Sequence, residues 1–344
     1  MGIRWACALA GVLAGGLLAG CGAGTGSGSG SGSGSEAMAE AGTGVGAKPS
    51  AAPSVLASGM GTAAADGVFP RKVTHYQGTS TVPSRPLRVA ALSTGQLDDL
   101  LTLGVVPVAA TKAEQAGLVP GYLAKAYPGD AAALARTADV GSRTSPNLEA
   151  LAHAHPDLIL VNSTLAKLYP QLSKIAPTVV TKGTGIYWKQ DFQLVGAAVG
   201  KERQAQRVLA DYGREAAADG RRAGEEGTAL SMVRFTSGRA RVYGVSSFTG
   251  SIAVDMGLGR PASQRFRETS QDIGDEQLNR ADGDWIFYSE LGGAPSPALW
   301  QSLKGVQAGH AVKVDDDAWY LNAGPTAARE VAAEIAQRVG GAAG

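Results

Sequence analysis

Cysteine is almost missing. Of 344 residues only Cys7 and Cys21 are cysteines, both within the first 21 positions. The rest of the chain therefore has no thiol nucleophile, no disulfide and no cysteine metal ligand, and its stability must come from packing. An excess of one charge is missing too: 31 Lys and Arg stand against 30 Asp and Glu, a net charge of +1. That balance removes the broad basic face a nucleic-acid backbone demands, so no nucleic-acid partner is expected. Catalytic signatures are also lacking. Gly244-Val245-Ser246-Ser247-Phe248 has no closing Gly for a nucleophile elbow, and Thr164 rather than Ser heads the spacing to Lys167. The early Gly repeats are followed by no Lys-Ser/Thr pair and no helix, so they are not a phosphate loop. The chain is expected not to be an enzyme, a secreted α/β hydrolase being the alternative of another class. What is present, 44% hydrophobic and 18% charged residues, supports one or two sizeable cores and excludes general disorder.

The N-terminus reads as an address. Arg4 is the only charge before an apolar or Gly run over 5–18, about the length of a signal-peptide core and short of the roughly 18 to 20 residues of a membrane span. The run ends in Leu18-Ala19-Gly20-Cys21, small residues before a cysteine as in a bacterial lipobox. A signal peptide over 1–20 and lipidation of Cys21 are expected, with an ordinary secretory signal as the alternative; more than one acyl chain anchors stably. Losing Arg4 leaves 30 positive and 30 negative residues, a neutral mature chain. Residues 21–68, with the Gly/Ser alternation over 26–35, show no apolar period and are expected to be a disordered tether. Such a tether reaches roughly 40 Å, enough for an anchored domain to dock on a membrane protein.

Beyond it the hydrophobic periodicity alternates between strand and helix. A buried-strand run over 87–92, apolar positions Leu97, Leu100, Leu101 and Leu103, and a strand over 105–110 make a β-α-β unit. Ser145-Pro146-Asn147 is expected to open a helix with a capping hydroxyl and Pro in its first turn, reaching about 154. Strands over 158–161 and 178–181 flank a helix over 165–175. From 188 to about 224 the pattern is helical, with Phe192, Val195, Val199, Val208, Leu209 and Tyr212 on one stripe and an interruption at Gly200. A hairpin of strands over 230–235 and 240–245 follows, then helix 252–256, strand 285–288, helix 297–303, strand 311–314 and helix 326–339. The fold class expected is α/β: two Rossmann-like lobes with parallel sheets, over 69–187 and 227–344, joined by one long helix over 188–226.

Seven stretches in order resemble the iron-siderophore class of ABC-transporter substrate-binding proteins, the group that includes ferric-hydroxamate and vitamin B12 binders. They are LRVAALSTGQLDDLLTLGVVPV from Leu87, VGSRTSPNLEALAHAHPDLILV from Val140, YPQLSKIAPTV from Tyr169, the helix from Trp188, YGVSSFTGSIAVDMGLGRP from Tyr243, IGDEQLNRADGDWIF from Ile273, and LWQSLKGVQAGHAVKVDDDAWY from Leu299. The resemblance implies a cleft between two lobes that holds a ferric siderophore, and an ABC permease as partner. A hydroxamate is the expected chelate, because its ferric complex carries little net charge and the mature chain is neutral with aromatics at the expected cleft. It implies a monomer, lipid-anchored on the extracytoplasmic face of the cell membrane. No cofactor or protein-bound metal is expected, because the chelator already cages the iron. One glutamate on each lobe meets the permease in this class, and Glu149 and Glu276 stand at the matching places. An ordinary helix-start carboxylate explains either one equally simply.

A caged ion offers oxygen edges and apolar linkers, so the cleft needs aromatics and planar cations. Arg143 and Arg234 are the leading cations. Tyr169, Trp188, Phe248, Trp319 and Tyr320 lie at element ends, where open α/β sheets carry ligand-facing loops. Of the pairs Tyr187-Trp188 and Trp319-Tyr320, one member can face the cleft if the segment is extended. Thr94 and Ser247 add hydroxyls, although turn chemistry also explains them. Asp315-Asp316-Asp317 reads as a solvated loop. The alternatives are haem, cobalamin, or direct zinc or manganese binding, for which His75, His153, His155 and His310 are all the histidines available.

Overall fold

Alternation within the short apolar runs sets the architecture. The computed structural model describes residues 52–341 apart from 114–115, 184, 225–226, 238 and 294; the expected signal segment, Cys21 and the tether up to residue 51 lie outside the described residues. A hairpin of β1 (Arg71–His75) and β2 (Gly78–Val82) comes first. There follow β3 (Val89–Ala91), α1 (Gln96–Thr102), β4 (Ala109–Lys112), α2 (Gly121–Ala126), α3 (Ala131–Leu134), β5 (Ala138–Ser142), α4 (Leu148–His153), β6 (Leu158–Asn162), α5 (Tyr169–Ile175) and β7 (Thr178–Thr181). They form a parallel sheet in the order β5-β4-β3-β6-β7. Val89 and Ala91 enter one apolar layer while Ala90 and Leu92 enter the other, and β6 divides Leu158 and Leu160 from Ile159 and Val161 in the same way. Strands buried on both faces read as unbroken apolar runs.

The connection expected as one helix over 188–226 is two helices, α6 (Trp188–Val199) and α7 (Glu202–Ala223). Gly200, at φ 75°, closes α6 in the left-handed region, and a Cβ on Gly196 would lie 2.8 Å from the Ala205 Cβ. The break therefore folds α7 back against α6.

The second lobe comprises β8 (Leu230–Thr236), β9 (Arg239–Tyr243), α8 (Phe248–Asp255), β10 (Ser270–Ile273), β11 (Trp285–Leu291), α9 (Pro297–Gln301), α10 (Lys304–Gln307), β12 (Ala311–Lys313) and α11 (Pro325–Gly341). The two-lobed α/β class is as expected, but this sheet, β10-β9-β8-β11-β12, is mixed. The hairpin makes β9 antiparallel to β8, and β10 joins antiparallel at the edge. Leu230, Met232, Trp285 and Phe287 point into the layer that also holds Val89, Leu100 and Leu158 of the first lobe, through Trp188, Phe192, Tyr212, Val331 and Ile335. The lobes thus share one core.

A buried carboxylate ties them further. Asp98 in α1 accepts from the Thr326 and Ala327 backbone N–H groups at 3.0 and 2.9 Å and from the Tyr122 hydroxyl at 3.1 Å, so a first-lobe side chain caps α11. The approach is close: a Cβ on Gly95 would sit 2.1 Å from the Ala323 carbonyl oxygen, and one on Gly324 2.5 Å from the Asp98 Cγ.

The tether does not extend to 68 as expected. Leu56 and Met60 pack on the shared core, Gly61 pairs with Thr74, and the carbonyls of Ser54 and Val55 accept from Gln193 and Gln190. The Arg71 guanidinium, fully buried, donates to the Ala65, Val68 and Ala197 carbonyls at 2.8, 3.0 and 2.7 Å. A segment without apolar period is held through its main chain, which periodicity cannot reveal. At α4 the cap is Asn147, accepting from Glu149 and Ala150 N–H at 3.0 Å each, rather than Ser145.

Asp98→Ala is expected to cost about 2 kcal/mol, as a lost cap plus stranded buried donors, read as a lower urea midpoint at unchanged slope. A midpoint equal to that of the unaltered protein would contradict the tie.

Candidate functional site

Residues that follow strands of both sheets line one cavity of about 350 Å³. Thr94 follows β3, Arg143 and Thr144 follow β5, Asn162 and Thr164 end and follow β6, and Thr181 and Gly183 end and follow β7. Tyr243, Ser247, Phe248, Trp319, Tyr320 and Asn322 come from the second lobe, and Trp188 and Asp191 from α6. This is the crevice beyond the carboxyl ends of strands where open α/β sheets bind ligands.

Seven expected residues meet there: Thr94, Arg143, Trp188, Ser247, Phe248, Trp319 and Tyr320. Tyr169 and Arg234 do not line it. Tyr169 lies edge-on to His75 at 5.5 Å, with its hydroxyl 3.4 Å from the Ser80 Oγ, so the core reading describes it. Arg234 forms a bidentate pair with Asp316, at 2.7 Å from Nε and 2.6 Å from Nη2. Asp316 also accepts from Ser289 and is thus no solvated loop residue. Position on a strand does not distinguish a free cation from one already paired.

The aromatic residues serve core and cavity together. The Trp188 Nε1 donates to the Ser251 Oγ at 3.2 Å, and its ring meets Tyr212 and Phe248 edge-on. The Trp319 Nε1 donates to Glu334 at 2.9 Å while its ring stacks on Phe287. Tyr320 donates to the Phe287 carbonyl at 2.7 Å and stacks on Tyr243 at 4.6 Å. Trp319 and Tyr320 lie in a wide helical turn, Asp317–Leu321, so the extended-segment expectation fails and both line the cavity. Ser247 is the cap of α8: its Oγ accepts from the Gly250 N–H and donates to the Gly244 carbonyl, both at 2.8 Å. The Arg143 Nη1 and Nη2 donate across the lobes to the Leu321 carbonyl at 2.7 Å and the Asn322 Oδ1 at 2.6 Å. Burial lowers the Arg143 pKa from its ordinary value, against the raising influence of Tyr122 and Asp317.

Sequence reasoning missed Gln96, Asp99, Asn162, Asp191, Tyr243 and Asn322. The one available signal was Asp98-Asp99 inside the apolar stretch LDDLL, two carboxylates on a helix that offers them no solvent. Burial first, then the charges of Asp98 and Asp191, pushes Asp99 well above the carboxylate range. Asp191 is pushed up to about 7 by burial, against the Lys182 and Gly183 backbone N–H groups that donate to it at 2.8 Å each. Glu149 and Glu276 are exposed on separate lobes. Among the described residues no group of three His, Cys, Asp or Glu could hold a metal ion. Nor is any helix of theirs long and apolar enough to cross a membrane.

Folded Asp191 keeps its proton to about pH 7, whereas the unfolded chain loses it near 3.8. Between these values rising pH therefore lowers stability, by about 1.4 kcal/mol per unit. His75, lowered by burial from 6.5 to about 4, acts oppositely over its own window. The stability of Asp191→Asn minus that of the unaltered protein is expected to rise between pH 4.5 and 7, since His75 cancels in the difference. A flat difference in urea titrations would contradict the assignment.

Residues 89–316 match the family described as periplasmic binding protein. The chain is 32% identical over 287 residues to the probable siderophore-binding lipoprotein YfiY of Bacillus subtilis, covering 77% of this chain and 86% of that one. It is 26% identical over 259 residues to the iron(3+)-hydroxamate-binding protein FhuD of Bacillus subtilis, covering 71% and 78%. Among solved structures, Staphylococcus aureus SirA complexed with staphyloferrin B superposes with a TM-score of 0.68 at 27% identity, covering 78% of this chain and 98% of that one. With a family match over most of the chain and a relative of 32% identity covering 77% of it, the chain belongs to the periplasmic binding protein family.

Proposed function

We propose that the chain is the extracytoplasmic receptor of an ABC importer, anchored through Cys21, which takes a ferric siderophore into the inter-lobe cavity and passes it to a membrane permease. The observation that carries this is the cavity itself: one wall from each lobe, five aromatic rings, and hydroxyl and amide groups from Thr94, Thr144, Asn162 and Asn322. That lining suits a ligand presenting apolar linkers and oxygen edges. The names of the relatives support the ligand class. Iron is cargo here, caged by its chelator, and no resident cofactor is invoked.

A ferric trihydroxamate suits this lining better than a tricatecholate. Arg143 is the single cationic side chain among the described lining residues, against Asp99 and Asp191. A strongly anionic chelate would find little positive charge in this lining to offset its desolvation. Because Trp188 and Trp319 line the cavity, a ferric trihydroxamate is expected to quench tryptophan fluorescence strongly. Tight quenching by an iron tricatecholate with none by the trihydroxamate would reject this ligand class.

Glu149 opens α4 on the first lobe, and Glu276 lies in the short turn Asp275–Ala281 on the second. We assign both to permease docking. Glu149→Lys with Glu276→Lys is expected to leave chelate affinity unchanged and abolish uptake in cells. Loss of binding by the purified double variant would remove the docking role.

A further inference from the structure

The cavity contains an acceptor that a hydroxamate core cannot answer. Asp99 is 2% exposed, lines the cavity, and has an Oδ1 without any hydrogen-bond partner. Asp191 faces the same space from α6, near enough for its charge to act on Asp99. Asp98, next in sequence, is committed to the α11 cap and the Tyr122 hydroxyl. Two of the Arg143 nitrogens are taken by Leu321 and Asn322, and its Nε, like the Asp99 Oδ1, is buried without a partner, so that cation makes no hydrogen bond to the Asp99 Oδ1.

An ionised carboxylate only accepts hydrogen bonds, and so do iron-bound hydroxamate oxygens. Bringing the two together leaves Asp99 still without a donor, a costly state for a buried polar atom. Were Asp99 protonated it would donate once to the chelate, and its second oxygen would remain unanswered. The group that satisfies this end of the cavity is a donor on the ligand outside the iron-binding core, and a charged donor does so most strongly. Resting on the siderophore reading of the cavity, we propose that Asp99 and Asp191 form a subsite for a protonated amine carried by the chelate, so that the ligand is a ferric hydroxamate with a pendant ammonium. The raised pKa of Asp99, caused first by burial and then by Asp98 and Asp191, agrees with a carboxyl that has no protein cation opposite it. The ammonium would supply that cation, while the aromatic wall holds the chelate body.

Two probes made from one linear ferric trihydroxamate test this, one with a free terminal ammonium and the other N-acetylated at that amine. Titrated into the full chain, the ammonium probe is expected to bind about tenfold tighter or more, the scale of one buried charge-assisted hydrogen bond. Asp99→Asn and Asp191→Asn should each bring the ratio of the two affinities towards one. Equal affinities for the two probes in the unaltered protein overturn the subsite and leave the siderophore reading intact. Binding of neither probe overturns both. A preference that persists undiminished in both Asn variants, each folded by circular dichroism, overturns the assignment to these residues. If neither variant folds, the comparison of probes in the unaltered protein still decides.

Discussion

The shared apolar core is the constraint on which the rest depends. Val89 and Leu158 of the first sheet and Met232 and Phe287 of the second belong to one continuous cluster, bridged by Trp188, Phe192, Tyr212 and the buried face of α11. Two lobes hinged only by a strand or loop could part without exposing much apolar surface. Here separation would open a packed interior at about 25 cal/mol for each square ångström exposed. The Asp98 cap on α11 and the Arg143 contacts with Leu321 and Asn322 add directional bonds to that non-directional adhesion. The cavity is therefore held open by packing around it rather than assembled when a ligand arrives.

The same economy governs the lining. Trp188, Trp319 and Tyr320 each direct their polar atom into the protein, to Ser251, Glu334 and the Phe287 carbonyl. Rings pinned in this way lose little freedom when a ligand packs on them, so less ordering cost opposes binding. Receptor and scaffold functions fall on the same residues, and truncating one of these aromatics would disturb both.

How much of this was legible follows from where the signals lie. Strand β6 stands out as an unbroken apolar run, and helix α11 because its buried residues Ala328, Val331, Ala332, Ile335 and Val339 recur at helical spacing. β5, Ala-Asp-Val-Gly-Ser, and β10, Ser-Gln-Asp-Ile, are edge strands with a mostly exposed or half-buried pattern and carry no comparable run. Tyr169 and Arg234 had the right chemistry at plausible element ends. Their partners, His75, Ser80 and Asp316, are set by tertiary contacts that spacing does not encode. Asp99 and Asp191 were missed for the opposite reason: a carboxylate on a helix reads as solvated until the elements packed around it are known. The order of the seven family-like stretches indicated the architecture, while the charge balance of the cavity emerged only from the assembled structure.

A cavity maintained by a common interior implies little movement on loading. Small-angle X-ray scattering of the full chain, with and without a saturating ferric trihydroxamate, tests this most directly. The account predicts the same radius of gyration in both states. A contraction of several ångströms on addition of the chelate would mean that the lobes stand apart in the empty receptor, and would contradict it.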